Sequence, residues 1–171
     1  MCEGLFQFSC PSPLGPLTLV GESGFLRALL WETPDPPVGR ERSDSPLAAR
    51  TRAWLADYFT RRAPVVDLPL GPRGTPHQQR VWAVLATIPP GTTRTYGSLA
   101  RMLKSSPRAV GQAVGANPLP ILIPCHRVVA VRGMGGYSGR GGVESKRRLL
   151  LLEGWDSDES AAAFIDKAPS G

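Results

Sequence analysis

The sequence predicts an α+β fold in two parts, an N-terminal antiparallel sheet with one helix followed by a C-terminal helical region. Three observations carry this expectation. Strand-like apolar segments around a turn signal crowd residues 5–31. Capped helical patterns at 3.6-residue spacing take over from residue 75. The charge divides at the same place: residues 1–74 carry 8 basic and 8 acidic side chains, whereas residues 75–155 carry 11 basic ones against only Glu144 and Glu153. Residues 156–171 hold four acidic groups and Lys167. The expected organisation is a sheet domain with a linker at 1–74, a basic helical domain at 75–155 and a mobile tail at 156–171.

Each element has its own signal. Leu5–Ser9 alternates weakly, and Pro16–Val20 and Phe25–Trp31 flank Gly21-Glu22-Ser23-Gly24, a hairpin turn signal. Pro34 to Ser45 reads as a loop rich in proline and charge. Ser45-Pro46 gives an N-cap with proline at the first helical position, and Leu47, Thr51, Trp54, Leu55, Tyr58 and Phe59 follow at helical spacing. Pro64 to Gly74 is a linker by its prolines and glycines. Thr75-Pro76-His77-Gln78 fits a capping box, Val81, Trp82, Leu85 and Ile88 form the buried face behind it, and Pro89-Pro90-Gly91 stops the helix. Thr95 caps a short helix in which Tyr96, Leu99, Ala100 and Leu103 share a stripe. Lys104-Ser105-Ser106 turns the chain into another helix, from Ser106-Pro107 to about Ala116, which makes a helix-turn-helix candidate.

Composition bounds the function. A hydrophobic content of 42% suffices for a core, and no run of 18 apolar residues is present to span a membrane. The start, MCEGLFQFSC, lacks a signal peptide's basic and apolar stretches, so a cytoplasmic protein is expected. Cys2, Cys10 and Cys125 form no CxxC pair, which fits free thiols in a reducing compartment. Cys2, Cys10 and His77 could in principle meet at a metal, but their spacing carries no zinc signature. The basic second half suggests a polyanion, nucleic acid first, although a solvated basic surface gives the same count.

Two stretches point further. Projected at 100° per residue, the helix after Ser106 places Ala109, Val110, Ala113 and Val114 on one face and Arg108, Gly111, Gln112 and Gly115 on the other. Two glycines on an exposed helical face cost about 1 kcal/mol each against alanine, so either a DNA backbone or another helix approaches there. In Asn117-Pro118-Leu119-Pro120-Ile121-Leu122-Ile123-Pro124-Cys125-His126-Arg127, a cysteine after an apolar run is either a packing residue or a reactive thiol. The charges of His126 and Arg127 would favour its thiolate.

The PCHR of 124–127 within NPLPILIPCHRVV resembles the active-site signature of the O6-alkylguanine-DNA alkyltransferase family. The likeness continues through GTPHQQRVW at 74–82, TYGSLA at 95–100, RAVG at 108–111, GGYSG at 135–139 and KRRLLLLEG at 146–154, with SPLGPLTLV at 12–20 similar to the family's opening strands. The resemblance implies a ribonuclease H-like sheet domain, a helix-turn-helix docked on the minor groove, and a nucleotide flipped out of double-stranded DNA. It implies irreversible transfer of an alkyl group from O6 of guanine, and less well from O4 of thymine, to Cys125, by a monomer that needs no cofactor.

The resemblance also assigns roles. His126 is the base, acting on the thiol through water, and Glu153 orients it. A buried Glu153 at a helix end needs a cation, because the dipole there disfavours a carboxylate; by periodicity alone it would be a solvated end. Tyr96 serves guanine N3, or is a core aromatic. Asn117 braces the active-site turn. Arg108 is the finger that fills the vacated stack, or a phosphate contact, with Gly111, Gln112 and Gly115 beside it on the DNA-binding face. Pro120 and Tyr137 wall the pocket, the Ser138 amide reaches O6, and Lys146 lies in a matching helix. His77 departs from the bulky or aromatic residue common in relatives, and Gly115 leaves the helix barer than in some. Rival expectations are a cysteine hydrolase, a non-catalytic damage sensor of the same fold and a sequence-specific regulator. The absence of an acyl-transfer pattern, the presence of Cys125 and the short chain weigh against them in turn.

Overall fold

The structure, a computed structural model, describes residues 4–60 and 64–156. Cys2 and all of the acidic tail beyond Asp156 lie outside the described residues. The chain is α+β and divides into two compact units, Met1–Gly74 with Pro118–Leu122, and Thr75–Asn117 with Ile123–Gly171.

In the first unit, strands β1 (Phe6–Cys10), β2 (Leu17–Glu22), β3 (Phe25–Leu30) and β4 (Arg40–Glu41) form a sheet in the order β3-β2-β1-β4. β1–β2 and β2–β3 pair antiparallel and β1–β4 parallel. The hairpin is tighter than the sequence suggested. β2 runs on through Gly21 and Glu22, so the turn is Ser23-Gly24 alone, both left-handed at φ 52° and 79° as a two-residue hairpin requires. Helix α1 (Pro46–Phe59) starts where expected, with the Ser45 hydroxyl accepting from the Ala48 amide. Its Trp54, Leu55 and Tyr58 are buried, as are Phe8, Leu17, Leu19 and Leu26 of the sheet. Arg52 ties helix to sheet, donating from Nε to Ser9 O at 3.1 Å and lying over the Phe8 ring.

Three expectations for this unit need correction. The loop 34–45 contains β4, whose two residues are too short for a periodicity to reveal; the Arg40 and Arg42 amides donate to Leu5 O and Gln7 O. The linker 64–74 is partly tied down as an edge of β3: the Leu26 amide donates to Pro69 O at 2.8 Å, and the Gly71 amide to Leu26 O at 2.9 Å. Pro118–Leu122 belongs with the sheet rather than with the helices on either side of it, because the Leu29 amide donates to Pro118 O at 2.8 Å and Leu119, Ile121 and Leu122 are buried.

The second unit holds α2 (Pro76–Leu85), β5 (Arg94–Thr95), α3 (Tyr96–Leu103), α4 (Pro107–Gly115), a 3₁₀ turn at Cys125–Arg127, β6 (Val128–Val129) and α5 (Gly142–Leu152). The capping box on α2 is complete, Thr75 Oγ1 accepting from the Gln78 amide and Gln78 Oε1 from the Thr75 amide. Thr95 and Ser106 cap α3 and α4 in the same way, and Lys104 takes the left-handed conformation that ends α3. Trp82 Nε1 donates to Ala113 O at 2.8 Å, a buried bond from α2 to α4. β5 and β6 pair parallel, so the turn bearing Cys125 leads directly into a strand anchored beside the start of α3. Among the described residues no helix is long and apolar enough to cross a membrane.

Candidate functional site

Cys125 is the N-terminal residue of the 3₁₀ turn, its amide donating to Ile123 O at 2.7 Å while the Arg127 amide donates to Pro124 O at 3.1 Å. Asn117, buried past the end of α4, donates from Nδ2 to Ile123 O at 2.8 Å and so holds the chain leading into the turn. Burial pushes the Cys125 thiol up from its ordinary value. A hydrogen bond with the Asn117 side chain, the Lys146 charge and the Cys125 and His126 backbone amides pull the other way without overcoming it. At rest the sulfur is a thiol, and it needs a base to become a nucleophile.

His126 is fully buried. Its Nε2 lies 2.7 Å from Glu153 Oε1. An ionised carboxylate only accepts, so Nε2 carries the proton and Nδ1 is the ring's acceptor. Burial lowers the imidazole's affinity for a proton, with Arg127 and Lys146 adding to the effect and Glu153 opposing it, which leaves the ring neutral.

Glu153 caps α5, where the helix dipole disfavours a carboxylate, and its side chain is 1% exposed. Arg127 is the compensation: Nη2 reaches Glu153 Oε1 at 2.8 Å and Nε reaches Oε2 at 2.9 Å. Its Nη1 donates to Ile88 O at 2.5 Å. The Gly91 amide points at Oε2 from 3.4 Å. Gly91 has φ +73°, and a Cβ there would stand 2.9 Å from Glu153 O, so this close turn after α2 requires glycine. Burial raises the Glu153 carboxyl, but the hydrogen bonds and charges of His126 and Arg127 win and hold it at about 2.

Lys146 on α5 is also fully buried. Nζ donates to Met134 O at 2.6 Å and Gly136 O at 3.0 Å, and it lies 6.0 Å from the centre of the Tyr96 ring. Burial lowers it to about 8, against the attraction of Cys125. The segment it tethers passes close to Tyr96. A Cβ on Gly135, whose φ is +69°, would come within 3.2 Å of that ring. Burial and the Cys125 charge raise the hydroxyl pKa of Tyr96, and burial, Cys125 and Glu153 raise that of Tyr137, so both stay protonated and can donate.

The structure therefore gathers Cys125, His126, Glu153, Asn117 and Tyr96 into one unit with interlocking partners. Tyr137 feels the charges of Cys125 and Glu153, and Ser138 is exposed on the loop that follows Gly136. On α4, Arg108, Gln112 and Gly115 are exposed. Gly111 is half-buried and would meet only the Tyr96 ring, at 3.8 Å, if given a Cβ, and Gly115 would meet nothing. Pro120 is buried. The expectation that the Arg127 charge supports the thiolate is overturned, since its guanidinium is spent on Glu153 and Ile88 O. Lys146 takes that place, and sequence reasoning saw only a matching helix there. His77 is half-buried at the start of α2. Among the described residues no group of three His, Cys, Asp or Glu could hold a metal. A cavity of about 360 Å³ opens in the sheet unit near Phe6, Arg42 and Arg50, and none of its lining residues belongs to the thiol cluster.

A buried cysteine thus adjoins, in sequence, a buried histidine–carboxylate pair on an α+β frame. Residues 76–155 match the model for the DNA-binding domain of 6-O-methylguanine DNA methyltransferase. The methylated-DNA–protein-cysteine methyltransferase of Mycobacterium tuberculosis is 42% identical over 147 residues, 83% of this chain and 88% of that protein. The Shigella flexneri protein of the same name is 38% identical over 167 residues, 88% of this chain and 96% of its own length. The crystal structure of M. tuberculosis OGT in complex with DNA superposes with a TM-score of 0.78 at 37% identity, covering 94% of this chain and 99% of that one. The chain belongs to the methylated-DNA–protein-cysteine methyltransferase family.

Proposed function

We propose that this protein repairs alkylated DNA by direct reversal, taking the alkyl group from O6 of guanine onto Cys125 in a single irreversible turnover. The observation that carries the reading is the buried Cys125 thiol beside a neutral His126 whose tautomer is fixed by Glu153, in a chain of this family. The Cys125 proton passes through a water to His126 Nδ1 as the S–C bond forms and the C–O6 bond breaks. Charge developing on the departing guanine is met by the Tyr96 hydroxyl at N3 and by the Ser138 amide at O6. Tyr137 and Pro120 complete the pocket wall, and Asn117 braces the turn. The product is a thioether, which offers water no carbonyl to attack, so the thiol is not regenerated. The alkyl donor is the DNA itself, and no cofactor enters.

The partner is double-stranded DNA. In our reading α3, the Lys104 turn and α4 act as a helix-turn-helix within an alkyltransferase domain at 75–155, laid on the minor groove with Arg108 filling the stack of a flipped nucleotide. Exposed Gln112 and Gly115, with Gly111 beside Tyr96, suit a close backbone approach. The order β3-β2-β1-β4 with α1 supports a ribonuclease H-like reading of the 1–74 domain. O4-alkylthymine is a poorer substrate, and the protein works as a cytoplasmic monomer, associated with the nucleoid if its source is bacterial.

Intact-protein mass spectrometry after mixing with a duplex that contains one O6-methylguanine tests this. One methyl added to Cys125, guanine restored one for one, and no gain in Cys125→Ser are expected. Lesion binding by folded, reduced protein without any gain in mass would instead make it a damage sensor.

A further inference from the structure

We propose that Arg127 is a positioning residue that keeps the base in its working protonation state: by taking both carboxylate oxygens of Glu153 and anchoring on Ile88 O, it neutralises Glu153 and leaves His126 as a neutral Nε2–H imidazole. This rests on the reading of His126 as the base.

The geometry is more elaborate than orienting a histidine requires. One hydrogen bond from Nε2 to Glu153 Oε1 fixes the tautomer. A bare carboxylate buried at 2.7 Å from an imidazole would also draw a proton onto it, and an imidazolium cannot accept the proton that leaves Cys125. The charged groups that act on the ring are Glu153 and Lys146 from α5 and Arg127 from its own turn. Glu153 is the one that attracts a proton to the ring, and Arg127 is the cation that saturates it. The bidentate fork occupies both oxygens, and the third arm reaches Ile88 O, so the guanidinium is held from two segments of chain. During transfer the proton released as the S–C bond forms resides on His126, and Glu153 then balances an imidazolium that exists only in that step.

The chain has two histidines, so His77→Gln assigns the His126 ring signals in long-range ¹H–¹⁵N NMR between pH 5 and 9. In otherwise unchanged full-length protein, His126 is expected as neutral Nε2–H at pH 7. In Arg127→Gln its titration midpoint should rise by about one pH unit or more, with methyl transfer at pH 7 reduced in proportion to the fraction of protonated ring that the NMR titration gives, and recovering at pH 9. Arg127→Lys, which keeps the charge but not the fork, should raise the midpoint by about half a pH unit, less than Arg127→Gln does, and that rise carries the test if the Gln variant does not fold. An imidazolium at pH 7 in the parent, an unmoved midpoint in Arg127→Gln, or a midpoint that rises as far in Arg127→Lys would overturn the proposal. The NMR readout needs no alkyl transfer, so a protein that never methylates Cys125 would defeat the functional reading without touching this measurement.

Discussion

Replacing Lys146 with methionine should separate what the buried charge does for chemistry from what it does to stability. The ammonium is fully buried and held at about 8, against 10.5 in the unfolded chain. That difference corresponds to a penalty of roughly 3 kcal/mol on the folded state at neutral pH. Methionine of similar length removes the penalty but leaves Met134 O and Gly136 O without their donor. Each lost partner costs about 1–3 kcal/mol. The net at pH 7 then runs from a gain of about 1 to a loss of about 3 kcal/mol, milder than the 3–5 kcal/mol typical of breaking a buried ion pair.

The sign of the pH dependence is what makes this decisive. Between pH 8 and 10.5 the unfolded chain still holds a proton that folded Lys146 has lost, so the stability of the parent rises with pH across that window. The methionine variant lacks this rise, and the difference between the two should move against it by roughly 2.5 kcal/mol from pH 7 to 10. Urea titrations at four pH values, with both proteins in a Cys125→Ser background so that the thiol does not contribute, would measure it. Cys10, raised to about 11 by burial, titrates in both and cancels. A difference that stays constant from pH 7 to 10 would refute the argument. With Cys125 restored, the variant has lost the charge that favours the thiolate, and methyl transfer at pH 7 should fall about tenfold or more.

Gly111→Ala and Gly115→Ala should each stabilise the fold by up to about 1 kcal/mol in urea, because the new methyl meets the Tyr96 ring at ordinary contact in one case and open space in the other. Both should weaken duplex binding by fluorescence anisotropy, and an unchanged affinity would mean that nothing approaches this face closely. Arg108→Ala, at an exposed position, should leave stability within about 0.5 kcal/mol and reduce repair per bound complex more than bulk DNA affinity; the reverse pattern would make Arg108 a phosphate contact. Glu153, at about 2 when folded and 4.5 when unfolded, contributes roughly 3 kcal/mol that is fully present above pH 4.5 and is lost as pH falls towards 2. Glu153→Gln should flatten that acid limb in thermal melts from pH 2 to 6.

What could be read from the sequence, and what could not, follows from how far each determinant reaches along the chain. The helix starts at Ser45, Thr75, Thr95 and Ser106 are settled by a side chain and an amide three residues on, so local sequence contains the whole cause. β4, β5 and β6 have two residues each and form because a distant strand offers them partners, so no period marks them. The same holds at the site. Cys125 and His126 are visible because PCHR is contiguous, whereas Glu153 is visible only through the family resemblance, since by periodicity alone it is a solvated helix end. Arg127 belongs to the same tetrapeptide, yet its partners sit 26 and 39 residues away in opposite directions, and reading it by adjacency gave it the wrong neighbour. Lys146 lies on a helix that also bears Arg147 and Arg148, which are exposed, and only the fold distinguishes the buried cation from the solvated ones. Its burial is costly in stability and so calls for a reason beyond folding. The interaction it makes with Cys125 is one that methionine could not supply.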